Sequence, residues 1–309
     1  MKHKCFIAVI LLFTCLCFAR KAEAVDQNTY KLLSRVERYI YGSEQNASIS
    51  ERLRQIEEDL FGRNTGQKEA DKAKYLHDFI FVGSPQNLSL DMKLSFLEWK
   101  LFNETIEGSL ESRLANIDKH ITGIASTEAM AFRLEQQVHT IIENGLISMH
   151  KVTIPTGTKF KVKLKNEISS KTAKKNQTVP MVIADDVFID NSVLVLAKGG
   201  IVSPTVAKVR RGGRFGRTGY IQLDLTSLEA MDSTILKTSI DCAGEKYDKK
   251  KIGMTVGASA VGYLVLGPIG LAGGAFVKGA DITVPAGTEF EVITTEDCIV
   301  AGVSVPKKK

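Results

Sequence analysis

The sequence predicts an α+β chain in two parts. An N-terminal array of short α-helices is followed by a C-terminal antiparallel β-barrel or sandwich with an inserted apolar, glycine-rich helical hairpin. Three observations predict this. Apolar residues between 32 and 143 recur with a period of 20 at helical spacing. From Lys151 the period changes to two. One phrase, T-x-P-x-G-T-x-F-x-V, occurs at 153–162 and again at 283–292, with a weaker echo at 194–202. Pro and Gly at this spacing make a tight turn, and the alternation after it makes a strand. The phrase marks where the chain enters and re-enters one β-structure. It holds no nucleophile, metal ligand or acid–base pair, so it points to a scaffold.

The first 24 residues read as a secretory signal. Met1-Lys2-His3-Lys4 is a basic start, 5–19 is an apolar run, and Ala22-Glu23-Ala24 fits the A-x-A cleavage pattern. The run is short for a spanning helix, which needs about 20 residues. The mature chain is expected to start at Val25, in the periplasm, outer membrane or cell surface of a bacterium. Its loss lowers the net charge from +6 to about +3, which removes the main support for a nucleic-acid partner. Cys5, Cys15 and Cys17 leave with it. Cys242 and Cys298 remain, and a bridge between them would contribute about 2–4 kcal/mol. The alternative is two buried, reduced thiols.

Residues 25–148 form the helical repeat region. Its stripes are Leu33, Val36, Ile40, Tyr41; Leu53, Ile56, Leu60, Phe61; Ala73, Leu76, Ile80, Phe81; Leu94, Leu97, Leu101, Phe102; Leu114, Ile117, Ile121, Thr122; and Leu134, Gln137, Ile141, Ile142. A single-residue slip separates the third unit from the fourth. The spacing i, i+3, i+7, i+8 is one helix face. Gly42, Gly62, Gly83, Asn103 and Gly123 follow the stripes as C-caps. Ser48, Ser89, Ser109 and Ser126 precede them as N-caps, and Ser48-x-x-Glu51 is a capping box. Helices this short are marginal alone, so the stripes must pack on each other or on a partner. Glu37, Glu57, Glu98 and Asp118 recur after the second apolar position and read as solvated faces. His77, His120, His139 and His150 lack ligand spacing, and Trp99 reads as packing or partner contact.

Residues 149–309 form the β domain. Strands are expected at 159–165, 179–189, 201–209, 219–228, 234–240, 282–284, 288–294 and 298–304. Arg210, Arg211, Arg214 and Arg217 lie in a glycine-rich connection that reads as a hairpin tip, or as a contact for an anionic surface. The stretch 252–277 runs 26 residues without a charge. Gly253/Gly257 and Gly270/Gly274 are small-xxx-small pairs suited to packing in lipid. Pro268 should break the stretch into two arms, with Leu264 and Leu266 on the first. The expectation is an apolar hairpin that inserts in a membrane or packs with copies of itself; the alternative is a hairpin buried in a soluble fold. No metal or cofactor motif is present.

The order of elements from 152 to 304 resembles the periplasmic β-barrel of type IV secretion and conjugation channel scaffolds, the TrbI-like family. The resemblance rests on Ile154-Pro155-Thr156-Gly157-Thr158, Ser169-Ser170-Lys171-Thr172-Ala173, the Leu196-Ala197-Lys198-Gly199-Gly200 turn, Gly213-Arg214-Phe215-Gly216-Arg217, and the closing phrase 284–292. It implies an outer-membrane antenna, an apolar helical hairpin in the family, at 252–277. The family's cytoplasmic tail, inner-membrane anchor and proline-rich linker have no counterpart in these residues. A secreted envelope relative is therefore expected. The helical units resemble R-L-x-x-L-E-x-x-x-F-G repeats of exported bacterial proteins.

Together these readings predict a non-catalytic envelope scaffold that binds envelope proteins or itself. One alternative is a subunit of a secretion-like channel. Another is a cell-wall or polysaccharide enzyme, raised by the close spacing of Asp185, Asp186 and Asp190.

Overall fold

A computed structural model of the chain describes residues 27–84, 87–213, 217–240, 263–266, 279 and 281–305. The expected signal at 1–24 lies outside the described residues. So do Arg214, Cys242, Gly253, Gly257, Pro268, Gly270 and Gly274. The chain divides into two compact units. One takes the residues up to Leu94 together with Gly108–Leu146; the other takes Ser95–Glu107 together with the chain from Ile147. The sequence placed a single boundary after 148, whereas Ser95–Glu107 belongs with the β domain.

The helices are α1 (27–41), α2 (Ile49–Phe61), α3 (Glu69–His77), α4 (Leu90–Phe102), α5 (Leu110–Thr122) and α6 (Met130–Ile141). The first two stripe positions of every unit are buried, from Leu33 and Val36 through Leu114 and Ile117 to Leu134 and Gln137. Each fully buried aliphatic side chain contributes about 1.5–3 kcal/mol. Gly62 and Gly123 end their helices in the left-handed conformation, and Asn103 also takes a positive φ. Ser48, Ser89 and Ser109 accept from the backbone N–H three residues on. Ser126 is not the N-cap that the sequence predicts: α6 starts four residues later, and Ala129 holds that place. Inside this unit α2 packs on both α3 and α6, and the Tyr39 hydroxyl of α1 donates to Asp91 at 2.9 Å. The helices therefore fold back into a bundle.

The slip in the repeat has a physical cause. α3 runs directly into a π-helical turn, Asp78–Val82, in which the Gly83 N–H donates to the Asp78 carbonyl at 2.8 Å. An i→i+5 turn holds one more residue than an α turn. The extra residue is absorbed while Ile80 and Phe81 stay buried.

The β domain holds β1 (Met149–Ile154), β2 (Lys159–Leu164), β3 (Ile168–Ser169), β4 (Met181–Ile183), β5 (Val187–Ile189), β6 (Val193–Leu196), β7 (Ile201–Val202) and β8 (Thr205–Arg210). It continues with β9 (Tyr220–Asp224), β10 (Ser227–Glu229), β11 (Ile235–Ile240), β12 (Tyr263–Leu266), β13 (Thr283–Val284), β14 (Glu289–Thr294) and β15 (Cys298–Ser304). The strands pair antiparallel in the orders β1-β15-β6-β5, β10-β11-β14-β2-β4-β7, β12-β9-β8 and β13-β3, and form a nearly closed barrel. One core fills it, with Val162, Met181, Val195, Ile221, Leu236, Val292 and Val300 among its buried members. Three long strands of the sequence reading are each broken in two. The 179–189 run breaks at Asp185-Asp186, the 219–228 run at Leu225-Thr226, and the 201–209 run at Ser203-Pro204, where proline has no N–H for the ladder.

The twice-used phrase relates the barrel to itself by a local pseudo-twofold axis. Thr153 and Thr283 are 130 residues apart, and the pairings obey the same offset. Ile154 pairs with Cys298 as Val284 pairs with Ile168; Thr153 pairs with Ile299 as Thr283 pairs with Ser169. β2 and β14 pair with each other, Phe160 on Val292 and Val162 on Phe290, so the axis passes at Lys161 and Glu291. Each turn caps the end of the other strand. The Gly157 N–H donates to the Thr294 carbonyl at 2.8 Å, and the Gly287 N–H to the Leu164 carbonyl at 2.7 Å. The charges are exchanged between the copies: Lys159 meets Glu291 at 3.0 Å and Lys161 meets Glu289 at 3.4 Å. Such exposed pairs contribute about 0–1 kcal/mol each. Their larger consequence is that each copy prefers the other to itself, since like charges opposite one another destabilise.

Candidate interaction surfaces

The carboxylates that recur in the helices are buried, not solvated as the sequence reading has them. Glu37, Glu57 and Glu98 have no exposed surface, and Asp118 keeps 7%. Each accepts the backbone N–H eight residues later: Gln45 on Glu37 (3.3 Å), Thr65 on Glu57 (3.2 Å), Ile106 on Glu98 (3.1 Å) and Ser126 on Asp118 (3.0 Å). Glu37, Glu57 and Asp118 also bind a cation fifteen residues on, in the next helix. Arg52 reaches Glu37 through Nε at 2.6 Å and through a second nitrogen. Lys72 reaches Glu57 at 2.6 Å, and Arg133 reaches Asp118 at 2.6 Å. One side chain thus shapes the connecting loop and ties consecutive helices together.

Burial alone would raise the pKa of Glu57, but hydrogen bonds from Lys72 and Thr65 outweigh it and hold the carboxyl below its ordinary value. At Asp118 burial is likewise outweighed, here by the Ser126 N–H, Gln137 and Arg133. A folded pKa below the unfolded one gives stability that is present above the unfolded value, about 4. That stability is lost as pH falls through the folded values. Acid should therefore unfold the helical unit, and Glu57→Gln should flatten the acid limb of a plot of Tm against pH while lowering Tm at neutral pH. An unchanged limb would contradict this account.

The third unit departs from the pattern. His77 stands where units one, two, four and five have a carboxylate (the sixth has Val138), with its ring 5.2 Å from Phe81 and Nδ1 3.3 Å from Asp78. Beside it the rings of Phe61, Tyr75 and Phe79 form a cluster with centroids 5.0–6.3 Å apart. Tyr75 is 44% exposed and the neighbouring Val82 59%.

In the β domain, Ser95–Glu107 is built onto the strands. The Trp99 indole N–H donates to Asp186 at 2.8 Å, and the other Asp186 oxygen accepts the Lys198 N–H at 2.7 Å. The Thr105 N–H donates to the Lys198 carbonyl at 2.8 Å, Glu104 lies 3.6 Å from Lys198, and Glu107 pairs with Lys165. Both oxygens of Asp186 are therefore engaged in joining these segments. Asp185 is exposed beside it. Asp190 and Asn191 take positive φ in the tight turn between β5 and β6. The trio does not converge on one point of chemistry: two of its members are loop and turn residues and the third is a joint. Among the described residues no cluster of His, Cys, Asp and Glu has a metal-binding arrangement.

Of the arginines read as a surface contact, Arg210 is spent locally. Its guanidinium stacks 4.8 Å over Tyr220 and donates to the Thr218 carbonyl at 3.1 Å. Arg211 and Arg217 are exposed. Leu264 and Leu266 are not helical as expected: they belong to β12, which pairs with β9 from Tyr263–Asp224 to Leu266–Ile221. Strand pairing at the β9 edge satisfies the backbone of this part of the apolar stretch. Among the described residues no helix is long and apolar enough to cross a membrane. The Cys298 thiol is unbridged and half-buried, and burial first, then Asp232 and Glu296, push its pKa up. Its expected partner, Cys242, lies outside the described residues.

Fold and surfaces together define a two-part α+β protein, a helical-repeat bundle and a pseudo-twofold β-barrel. No protein-family model matches the chain, and no curated protein matches it.

Proposed function

We propose that this chain is a non-catalytic, exported scaffold or interaction protein of a bacterial cell envelope, a relative of the TrbI-like barrels. The barrel anchors or oligomerises, and the helical unit binds envelope proteins or a second copy. The observation that carries the reading is the third helical repeat. There the buried ion pair is replaced by a histidine, the helix takes a π turn, and Phe61, Tyr75 and Phe79 gather at a surface with Val82 exposed beside them. π turns concentrate at functional places in helices, and an aromatic cluster at the surface is the usual make-up of a partner contact. The TrbI-like order of strands supports the envelope part.

A photo-crosslinking residue at Tyr75, with cell fractionation, tests it. A defined crosslinked partner in an envelope fraction is expected, lost when Phe79→Ser is added. A full chain that fractionates away from the envelope as an uncrosslinked monomer would overturn the proposal.

A further inference from the structure

Two acid-free segments of the sequence lie side by side in the barrel. Residues 168–184 carry Lys171, Lys174 and Lys175 and no acid; residues 202–223 carry Lys208 and four arginines and no acid. The fold joins them. The Asn176 N–H donates to the Val206 carbonyl at 2.8 Å, the Val206 N–H to Gln177 at 2.9 Å, and the Val179 N–H to Pro204 at 2.8 Å, while Thr178 bridges Thr205. The start of the first segment also meets the hairpin after β8, where Gly219 lies against the Ser170 side chain. Lys171, Lys174, Lys175, Lys208, Arg211 and Arg217 are all exposed. Two carboxylates enter this face among the described residues. Asp281 is held by the Ser170 hydroxyl and the Gly212 N–H, both at 2.8 Å, and Asp224 stands opposite Thr205 at the start of β8. Against the six exposed cations two acids still leave an excess of positive charge.

We propose that this face, the 168–178 segment with β8, Arg211 and Arg217, docks on the anionic headgroups of a membrane surface. Charge complementarity is the first argument. The chemistry of the cations is the second: lysines on a loop are point charges that suit a field of headgroups, without the bidentate geometry of arginine recognition. The third weighs against the main competitor. Single-stranded nucleic acid needs open aromatic faces for its bases, and among the described residues of this face the aromatic ring is Tyr220, which Arg210 covers. The fourth is position: β8 shares its three-stranded sheet with β12, the described part of the uncharged 252–277 stretch. The proposal goes beyond the scaffold reading. It concerns a lipid surface contacted by the barrel, whereas the Tyr75 crosslink probes a protein partner of the helical unit.

The test is sedimentation of the full chain with vesicles, phosphatidylglycerol mixed with phosphatidylcholine against phosphatidylcholine alone. The chain should prefer the anionic vesicles, and the preference should vanish at about 0.5 M salt. The variant K171Q/K174Q/K175Q/K208Q should lose about a thousandfold in affinity for anionic vesicles and keep its binding to neutral ones. A control with the same loss of charge on β1, β2 and β11, K151Q/K159Q/K161Q/K237Q, should keep most of the preference. Equal binding to both vesicles would overturn the proposal, as would a preference retained by the first variant or lost equally by the control. Tighter binding of a single-stranded oligonucleotide than of anionic vesicles, abolished in the first variant, would make nucleic acid the occupant and also sink it.

Discussion

Glu37→Ala is expected to lower the unfolding free energy of the helical unit by about 3–5 kcal/mol, the cost of leaving one member of a buried ion pair without its partner. The side chains of Glu37 and Arg52 are 0% and 6% exposed. The substitution would leave the Arg52 guanidinium in the core, and it would also take from the Gln45 N–H its acceptor. An internal control flanks Arg52 in the same helix. Glu51 pairs with Arg54 on the surface, with the two side chains 53% and 39% exposed, so Glu51→Ala should cost far less than Glu37→Ala. The double replacement Glu37→Leu with Arg52→Leu should recover much of the loss, because two apolar groups no longer need each other's charge. Urea unfolding followed by circular dichroism decides it. Equal costs for Glu37→Ala and Glu51→Ala would refute the buried ladder as a source of stability.

That ladder shows where sequence reading reaches and where it stops. The helices were legible because burial imposes a period, and Leu33, Leu53, Ala73, Leu94, Leu114 and Leu134 carry it in single residues. Glu37, Glu57, Glu98 and Asp118 were visible as a series but misread, since a charge at the edge of an apolar stripe is ordinarily solvated. The overlooked signal was a second series in step with the first: Arg52, Lys72, Arg113 and Arg133 each stand fifteen residues after one of these acids. A charge that recurs with a partner of opposite sign at fixed distance is a candidate for burial. The role of Asp186 had no local signal at all, because Trp99 lies 87 residues away. The breaks at Asp185-Asp186 and Ser203-Pro204 were hidden by alternation that continues across them. The excess of cations around β8 was half legible. The arginines stood out as a cluster, while Lys171, Lys174 and Lys175 join them only through the pairing of the two segments.

The three turns of the repeated phrase make the second large prediction. Gly157, Gly199 and Gly287 have φ of +82°, +84° and +82°, a region that L side chains rarely adopt, so alanine at each place carries a conformational cost of about 1–2 kcal/mol. Their surroundings differ. A Cβ on Gly157 or Gly287 would meet nothing within 4 Å, as the pseudo-twofold relation requires of equivalent turns. A Cβ on Gly199 would come within 2.4 Å of the Thr105 carbonyl oxygen and 2.9 Å of its nitrogen, both backbone atoms without a soft way to yield. The hydrogen bond from the Thr105 N–H to the Lys198 carbonyl fixes that approach. Gly157→Ala and Gly287→Ala should therefore cost the same, about 1–2 kcal/mol. Gly199→Ala should cost about 2–5 kcal/mol, the same strain plus an overpacking cost of about 1–3. The excess should report on the seating of Ser95–Glu107: Trp99 fluorescence should shift in Gly199→Ala and stay unchanged in the other two. Three equal costs would mean that the 95–107 segment is not held at this turn. An inequality between Gly157→Ala and Gly287→Ala would instead tell against the pseudo-twofold axis, because the two turns cap each other's strands through equivalent hydrogen bonds.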